Sequence, residues 1–372
     1  MKIVFWHNYL MFHQSPYIRE LSKIPGLNVY WAVSELLPPI YKQRGYPVPN
    51  TGNTTIIEAP SDAQIESLLK PEPGEQSIHV FFGIRKMPLQ EKAFHSSLKY
   101  DVDRYIMSEN RFESGWRIIP RWLAYSLDSL RFGKKINGLF CIGHTGSRGG
   151  YRWFKMTGFD GNKIYPFIHT TEPEQTSTQQ SRHEITELIY VGQMIHRKAV
   201  DVLLKALSST KDTPWHLTLV GTGPLLQDLK NLAHTLGISD RTTFSGTLDN
   251  ATVTEKIACS DILILPSHFD GWGAVVNEAI LLGVPVICSD RCGASDIVYG
   301  SGAGYVFKTD DINDLETGIR QTIAKDINPD TRTRLKAWSE KISGKVLAEY
   351  FLEVVSQKTA AKMKPDAPWL SE

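Results

Sequence analysis

Two stretches of this 372-residue chain combine residue types that can hold an anion beside a diol. The first is Phe269-Asp270-Gly271-Trp272-Gly273-Ala274-Val275-Val276-Asn277-Glu278-Ala279-Ile280-Leu281-Leu282-Gly283-Val284-Pro285. Gly271 and Gly273 permit close backbone approach just before a helix, whose unbonded N–H groups and positive dipole end favour a negative ligand. Apart from Asn277 and Glu278 the helix is apolar, which predicts burial nearly all round. Glu278 then needs a partner. An Arg or a backbone amide would serve, and so would a ribose diol, whose two hydroxyls a carboxylate can accept.

The second stretch is Val191-Gly192-Gln193-Met194-Ile195-His196-Arg197-Lys198-Ala199-Val200-Asp201. A turn after a buried strand sets Arg197 and Lys198 at the strand's carboxyl end, where a diphosphate needs neutralising. The same pair at a helix start also suits a solvated surface. In the first half, His7 and His13 follow an initial strand and suit a phosphate, an acceptor hydroxyl or an ordinary core position. Glu109 follows another strand. Asp101-Val102-Asp103 spells a metal-binding D-x-D, but it precedes a strand rather than ending one and reads as a loop.

These residues need a scaffold of short apolar strands alternating with helix-period segments, the signature of repeated β-α units and a parallel sheet. Strands are predicted over 2–6, 28–33, 78–83, 104–108, 138–142 and 163–167, with Ser15 and Pro16 as N-cap and first residue of a helix. The polar stretch Thr170–Glu184 reads as a linker. Strands resume over 188–192, 217–220, 243–245, 262–266, 285–288 and 305–307, and residues 331–357 form a closing helical segment bent near Gly344. The expected organisation is a domain over 1–170, a linker over 171–184, a second domain over 185–330 and a helical segment over 331–372. Both domains are doubly wound α/β, with ligands outside the carboxyl ends of the strands and therefore in the cleft.

Composition narrows the class. Lys plus Arg number 41 against 40 Asp plus Glu, a net charge of +1, with 41% hydrophobic and 22% charged residues. That is ordinary globular composition and argues against disorder and against a general nucleic-acid binder. Four cysteines, Cys141, Cys259, Cys288 and Cys292, favour neither a zinc site nor a disulfide framework, and suggest a reducing, cytoplasmic setting. The apolar run before His7 is too short for a signal peptide, and no stretch is long and apolar enough to span a bilayer. The segment 111–135 carries Arg111, Arg117, Arg121, Arg131, Lys134 and Lys135, with Ile119, Trp122, Leu123, Leu127 and Leu130 on one helical face. That face either packs on a core or rests on anionic lipid. Arg148, Arg152 and Trp153 extend the basic-aromatic character.

The two stretches resemble the retaining glycosyltransferases of family four, which have the two-domain GT-B fold. Asp270, Gly271, Trp272, Gly273 and Glu278 match the E-x(7)-E signature with Asp in place of its first Glu, and Gly283-Val284-Pro285-Val286 follows as G-x-P-V. Residues 191–201 match V-G-R-L-x-x-x-K-G-x-D, with Gln193 where the family has Arg. Val220-Gly221-Thr222-Gly223-Pro224 is similar to its V-G-x-G-P. Phe244-Ser245-Gly246-Thr247-Leu248 is similar to the stretch around the nucleotide base. The resemblance covers 188–325 well and the first half in layout only, where no glycine-rich loop follows the first strand.

The resemblance implies that Glu278 holds the ribose, the amides of Gly273, Ala274 and Val275 face the sugar and diphosphate, and Gly246 and Leu248 lie at the base. Gly192, Gln193, Gly221 and Gly223 would line the phosphates or close the cleft. Lys198, Arg197 and Asp270 would act at the diphosphate and donor sugar, with Glu109 and His13 toward the acceptor. The implied reaction moves a sugar from a UDP- or GDP-sugar to a hydroxyl, without a metal. The expected setting is surface-polysaccharide assembly on a saccharide or lipid-linked acceptor at the inner face of the cytoplasmic membrane. The closing helix would pack back on the first domain. A sugar-nucleotide epimerase and a degenerate GT-B partner subunit are the competing readings.

Overall fold

The computed structural model describes residues 1–39, 41, 47–109, 118–146, 149–172, 185–325, 328–357 and 364–371. Linker residues 173–184, the segment 111–117 with Arg111 and Arg117, and Arg148 lie outside them. The chain divides into two compact units, Met1–Thr171 with Ile342–Pro368, and Glu172–Lys341 with Trp369–Glu372.

In the first unit, β1 (Lys2–His7), β2 (Asn28–Val33), β3 (Thr55–Glu58), β4 (Ser77–Phe82), β5 (Asp103–Glu109), β6 (Gly138–Ile142) and β7 (Ile164–Phe167) form one parallel sheet in the order β3-β2-β1-β4-β5-β6-β7. β1 is buried along its whole length, so both of its faces are apolar and the strand reads as a continuous run. Trp6 stacks on Phe81 at 6.1 Å on one side of the sheet, and Phe5 meets Phe351 at 5.6 Å on the other. Phe351 belongs to the helix Gly344–Ser356, capped by the Ser343 hydroxyl, and a Cβ at Gly344 would lie 2.8 Å from Pro16. The helix Ser15–Ser22 starts one residue earlier than the sequence suggests: Gln14 is its N-cap without a side-chain cap bond, and Pro16 sits in its first turn.

The helix Ile118–Phe132 settles an open choice. Tyr125 and Phe132 pack against the core, and the Arg85 guanidinium clasps Asp128 at 2.6 Å. The predicted apolar face points away: Ile119, Trp122, Leu123, Leu127 and Leu130 are all exposed, Leu130 at 82%. The core-packing alternative for that face is therefore incorrect.

The second unit holds β8 (Thr186–Val191), β9 (Trp215–Val220), β10 (Thr242–Gly246), β11 (Ile262–Leu265), β12 (Val286–Ser289) and β13 (Tyr305–Phe307), all parallel in the order β10-β9-β8-β11-β12-β13. In each sheet the strand order reverses once, between β1 and β4 in the first and between β8 and β11 in the second. The chain leaves those neighbours in opposite directions and opens a crevice at their carboxyl ends. Among the described residues none of the four cysteines forms a disulfide.

Candidate functional site

The turn after β8 and the loop after β11 meet at the switch point of the second sheet. A short 3-10 turn, His196–Lys198, ends at Ala199 with a left-handed φ of 50°. His268 donates its backbone N–H to the Arg197 carbonyl at 3.0 Å, holding the two loops together. The half-buried Lys198 ammonium donates to the Asp270 carboxylate. Arg197, exposed above it, lies 3.5 Å from the same carboxylate oxygen and donates to the Phe269 carbonyl at 2.9 Å. One carboxylate thus faces two cations, and the pair of loops carries surplus positive charge at a strand terminus, an arrangement suited to an anion.

The loop that carries Asp270 is fixed from beneath. Asp270 N–H donates to the Arg291 carbonyl at 3.1 Å, and Gly293 N–H donates back to the Asp270 carbonyl at 3.0 Å. Trp272 donates its indole N–H to Asn277 at 2.6 Å. Gly273 then turns with φ 89° into the helix Ala274–Leu281, and a Cβ there would lie 2.8 Å from both Cys292 Sγ and a Leu265 methyl. The N–H groups of Ala274 and Val275, in the first turn, have no intrahelical acceptor. No residue of this helix is exposed, in accord with its apolar sequence. Glu278, three residues past Val275 and on its face, is half-buried with no ion pair or hydrogen bond among the described residues. Burial raises its carboxyl pKa to about 7.

The glycines elsewhere have separate reasons. A Cβ at Gly221 would sit 2.0 Å from the Gly192 carbonyl oxygen, and one at Gly223 2.4 Å from that of Met194. Gly192 N–H donates to Val220 and Met194 N–H to Thr222, so the loops after β8 and β9 interlock backbone to backbone. Tyr190, buried beneath them, donates its hydroxyl to the Gln193 carbonyl at 2.8 Å, leaving the Gln193 side chain exposed. Gly246 (φ 68°) ends β10 with open space where a Cβ would be, and Leu248 beyond it is half-buried.

The structure therefore gathers Lys198, Arg197 and Asp270, and sets Gly273, Ala274, Val275 and Glu278 along one helix start in the same unit. Glu109 and His13 belong to the first unit, at the carboxyl ends of β5 and β1. There Glu109 meets His169 at 2.6 Å, and His13 lies with its ring 5.7 Å from that of His169. Sequence reasoning missed His169, a lone histidine past β7 with no diagnostic spacing. It also missed His268, which pairs with Asp310 beside Arg197. Asp101 and Asp103 precede or open β5 at its amino end, and Asp103 accepts from Gln76 and Asn137, consistent with a structural loop. Among the described residues no cluster of His, Cys, Asp or Glu could hold a metal, and no helix is long and apolar enough to cross a membrane.

Residues 172–341 match the family model for glycosyl transferases group 1. The chain is 24% identical over 307 residues to a GDP-mannose-dependent alpha-(1-6)-phosphatidylinositol monomannoside mannosyltransferase of Mycobacterium tuberculosis, covering 77% of each chain. It is 28% identical over 153 residues to a teichuronic acid biosynthesis glycosyltransferase, TuaC, of Bacillus subtilis, covering 38% of this chain and 36% of that one. Among solved structures, the lipopolysaccharide outer core galactosyltransferase WaaB superposes with a TM-score of 0.68 at 16% identity, over 96% of this chain and all of that one. Anabaena Alr3699/HepE in complex with UDP does so with a TM-score of 0.66 at 12% identity, over 96% and 100%. These neighbours share the two Rossmann-like domains of the GT-B fold.

Proposed function

We propose that the chain, a group 1 glycosyltransferase of GT-B type, moves a sugar from a UDP- or GDP-sugar to a saccharide hydroxyl with retention at the anomeric carbon. The observation that carries this reading is the coexistence, in one unit, of surplus positive charge around Asp270 and an unpartnered carboxylate at Glu278. A nucleoside diphosphate brings the complement of both: two negative phosphates and a ribose diol. Glu278 accepts the diol hydroxyls. As the anomeric C–O bond breaks, its electron pair leaves with the diphosphate, the acceptor hydroxyl oxygen bonds the anomeric carbon on the same face and its proton passes to the departing phosphate oxygen, while Lys198, Arg197 and the first-turn amides of Ala274 and Val275 meet the diphosphate charge. Asp270 orients Lys198 and reaches the donor sugar. Gly246 and Leu248 lie toward the base, and Glu109 and His13 toward the acceptor. Charge stabilisation falls to these side chains and amides rather than to a metal.

A lipid-linked acceptor in surface-glycan assembly fits the names of the relatives and the exposed stripe on the helix Ile118–Phe132. Five large apolar side chains lie there in one row, with Met156 of a neighbouring helix 55% exposed and Arg121, Arg131, Lys134 and Lys135 in the same segment. Apolar insertion beside cationic side chains is the pattern of a surface resting on anionic lipid, here at the inner face of the cytoplasmic membrane.

Titration calorimetry with UDP, GDP and ADP, beside Glu278→Ala, tests the donor half. One nucleotide binds selectively and weakens at least about tenfold in the variant, as expected for loss of a charge-assisted contact. A folded chain that binds none of the three sinks the reading. The anomeric coupling of the glycosidic product then reports retention. Sedimentation with phosphatidylglycerol vesicles at low salt tests the surface, and Leu123→Glu with Leu127→Glu abolishes binding.

A further inference from the structure

Buried polar groups converge at the carboxyl end of the first sheet. Gln14, fully buried at the start of the helix Ser15–Ser22, points its side-chain amide nitrogen at His169 Nδ1 over 3.0 Å. His169, also buried, follows β7, and its Nε2 stands 2.6 Å from Glu109 Oε1 at the end of β5. Thr170 N–H donates to the His13 carbonyl at 3.1 Å and ties this loop to the one after β1. Gln14 Oε1, His13 Nδ1 and both ring nitrogens of His7 are buried there without partners among the described residues. Burial holds His7 and His13 neutral, with pKa values lowered to about 3 and about 4.

The amide hydrogen of Gln14 occupies Nδ1, which must then accept, so the ring proton resides on Nε2 and is donated to the Glu109 carboxylate. Of Gln14, His169 and Glu109, it is Glu109 that reaches solvent, its side chain 27% exposed against 2% for His169. A carboxylate held in one orientation at a strand terminus suits a hydroxyl, which can donate to it. We propose that His169 is a positioning residue, fixed in one tautomer by Gln14, that aligns Glu109 to accept a hydrogen bond from a hydroxyl of the sugar acceptor. This rests on the glycosyl-transfer reading above. It assigns roles to Gln14 and His169, which no motif marks.

Two measurements on the full chain test it. Two-bond nitrogen–proton spectra of the labelled imidazoles, with His169→Gln to assign the signal, show His169 with a bare Nδ1 and a protonated Nε2; Gln14→Leu releases the preference. The opposite tautomer, or an averaged pair already in the unaltered chain, overturns the positioning role. Kinetics with octyl glycosides as acceptors and the nucleotide sugar selected by calorimetry test the acceptor role. His169→Gln raises the acceptor KM about tenfold, the scale of one charge-assisted hydrogen bond, with nucleotide affinity and melting temperature unchanged. Glu109→Gln raises it at least as much, and the double variant adds nothing further, as expected of residues acting as one unit. An unchanged acceptor KM in His169→Gln, where the unaltered chain transfers sugar, overturns this inference alone. A chain that transfers to no acceptor overturns the proposed function and the acceptor role with it, while the tautomer still decides the positioning.

Discussion

The two units share one wiring and carry opposite chemistry at the same address. Both sheets reverse strand order beside their first strand, so each opens a crevice at the same topological position. In the second unit it is lined by glycine turns and a Lys–Asp–Arg cluster. In the first it is lined by buried, neutral histidines and aromatic rings such as Trp31 and Phe82, which flank His7 at 5.4 and 4.8 Å. The fold supplies the location and the loops supply the charge. A cationic crevice suits a diphosphate, and one where a half-exposed carboxylate stands beside buried histidines suits a hydroxyl.

This contrast predicts opposite responses to pH. His7, His13 and His79 have folded pKa values near 3, 4 and 3 against 6.5 unfolded, so between those limits the unfolded chain binds more protons and stability falls as pH drops. At pH 5.5 the three together cost the first unit about 4 kcal/mol. Hydrogen exchange at pH 5.5 should show β1 and β4 losing protection before β8 and β11; simultaneous loss would erase the distinction.

Removing charge from the second crevice has the next largest effect. Lys198→Ala leaves Asp270 with the exposed Arg197 guanidinium as its cation and lowers the rate of sugar transfer about a hundredfold, roughly 3 kcal/mol. Glu109→Gln, in the first crevice, costs about tenfold and acts on acceptor KM. Reversal of that ranking would mean that the first unit, not the second, governs departure of the leaving group.

Glycine substitutions sharpen the comparison within the second unit. Gly223→Ala forces a methyl against the Met194 carbonyl at 2.4 Å and should lower stability by about 3 kcal/mol. Gly246→Ala meets open space and bears only its left-handed φ, about 1 kcal/mol. Thermal melting separates them. The titration of Glu278 sets the two units apart by sign. Its folded pKa near 7 exceeds the unfolded 4.5, so the folded chain holds the extra proton and stability falls as pH rises between those values, by about 1.4 kcal/mol per unit. Glu278→Gln removes that slope, which runs opposite to the histidine slope in the first unit.

What the sequence discloses follows the same physical lines. Interior parallel strands are buried on both faces, so β1 and β11 stand out as apolar runs. β3 escaped notice because it is a four-residue edge strand, Thr55-Ile56-Ile57-Glu58, polar at both ends. Lys198, Asp270 and Glu278 were legible because glycine turns and fixed spacing frame them, though not that Lys198 and Asp270 pair. His169 was not, since Gln14 and Glu109 reach it from 155 and 60 residues away. Periodicity found the apolar stripe on the helix Ile118–Phe132 but could not say which way it faces, because a helix covering a core and one facing outward share a pattern.

The route of the chain has a practical corollary for cutting it. It leaves the first unit at Thr171, returns at Ile342 and departs again at Trp369. A fragment trimmed to 172–341 loses Trp369, whose backbone abuts Gly300 and whose ring is fully buried. One stopped at 171 loses Phe351 from between Phe5, Tyr17 and Phe140. A premature stop codon before residue 342 would therefore injure both units, and neither can be expressed whole as one uninterrupted segment.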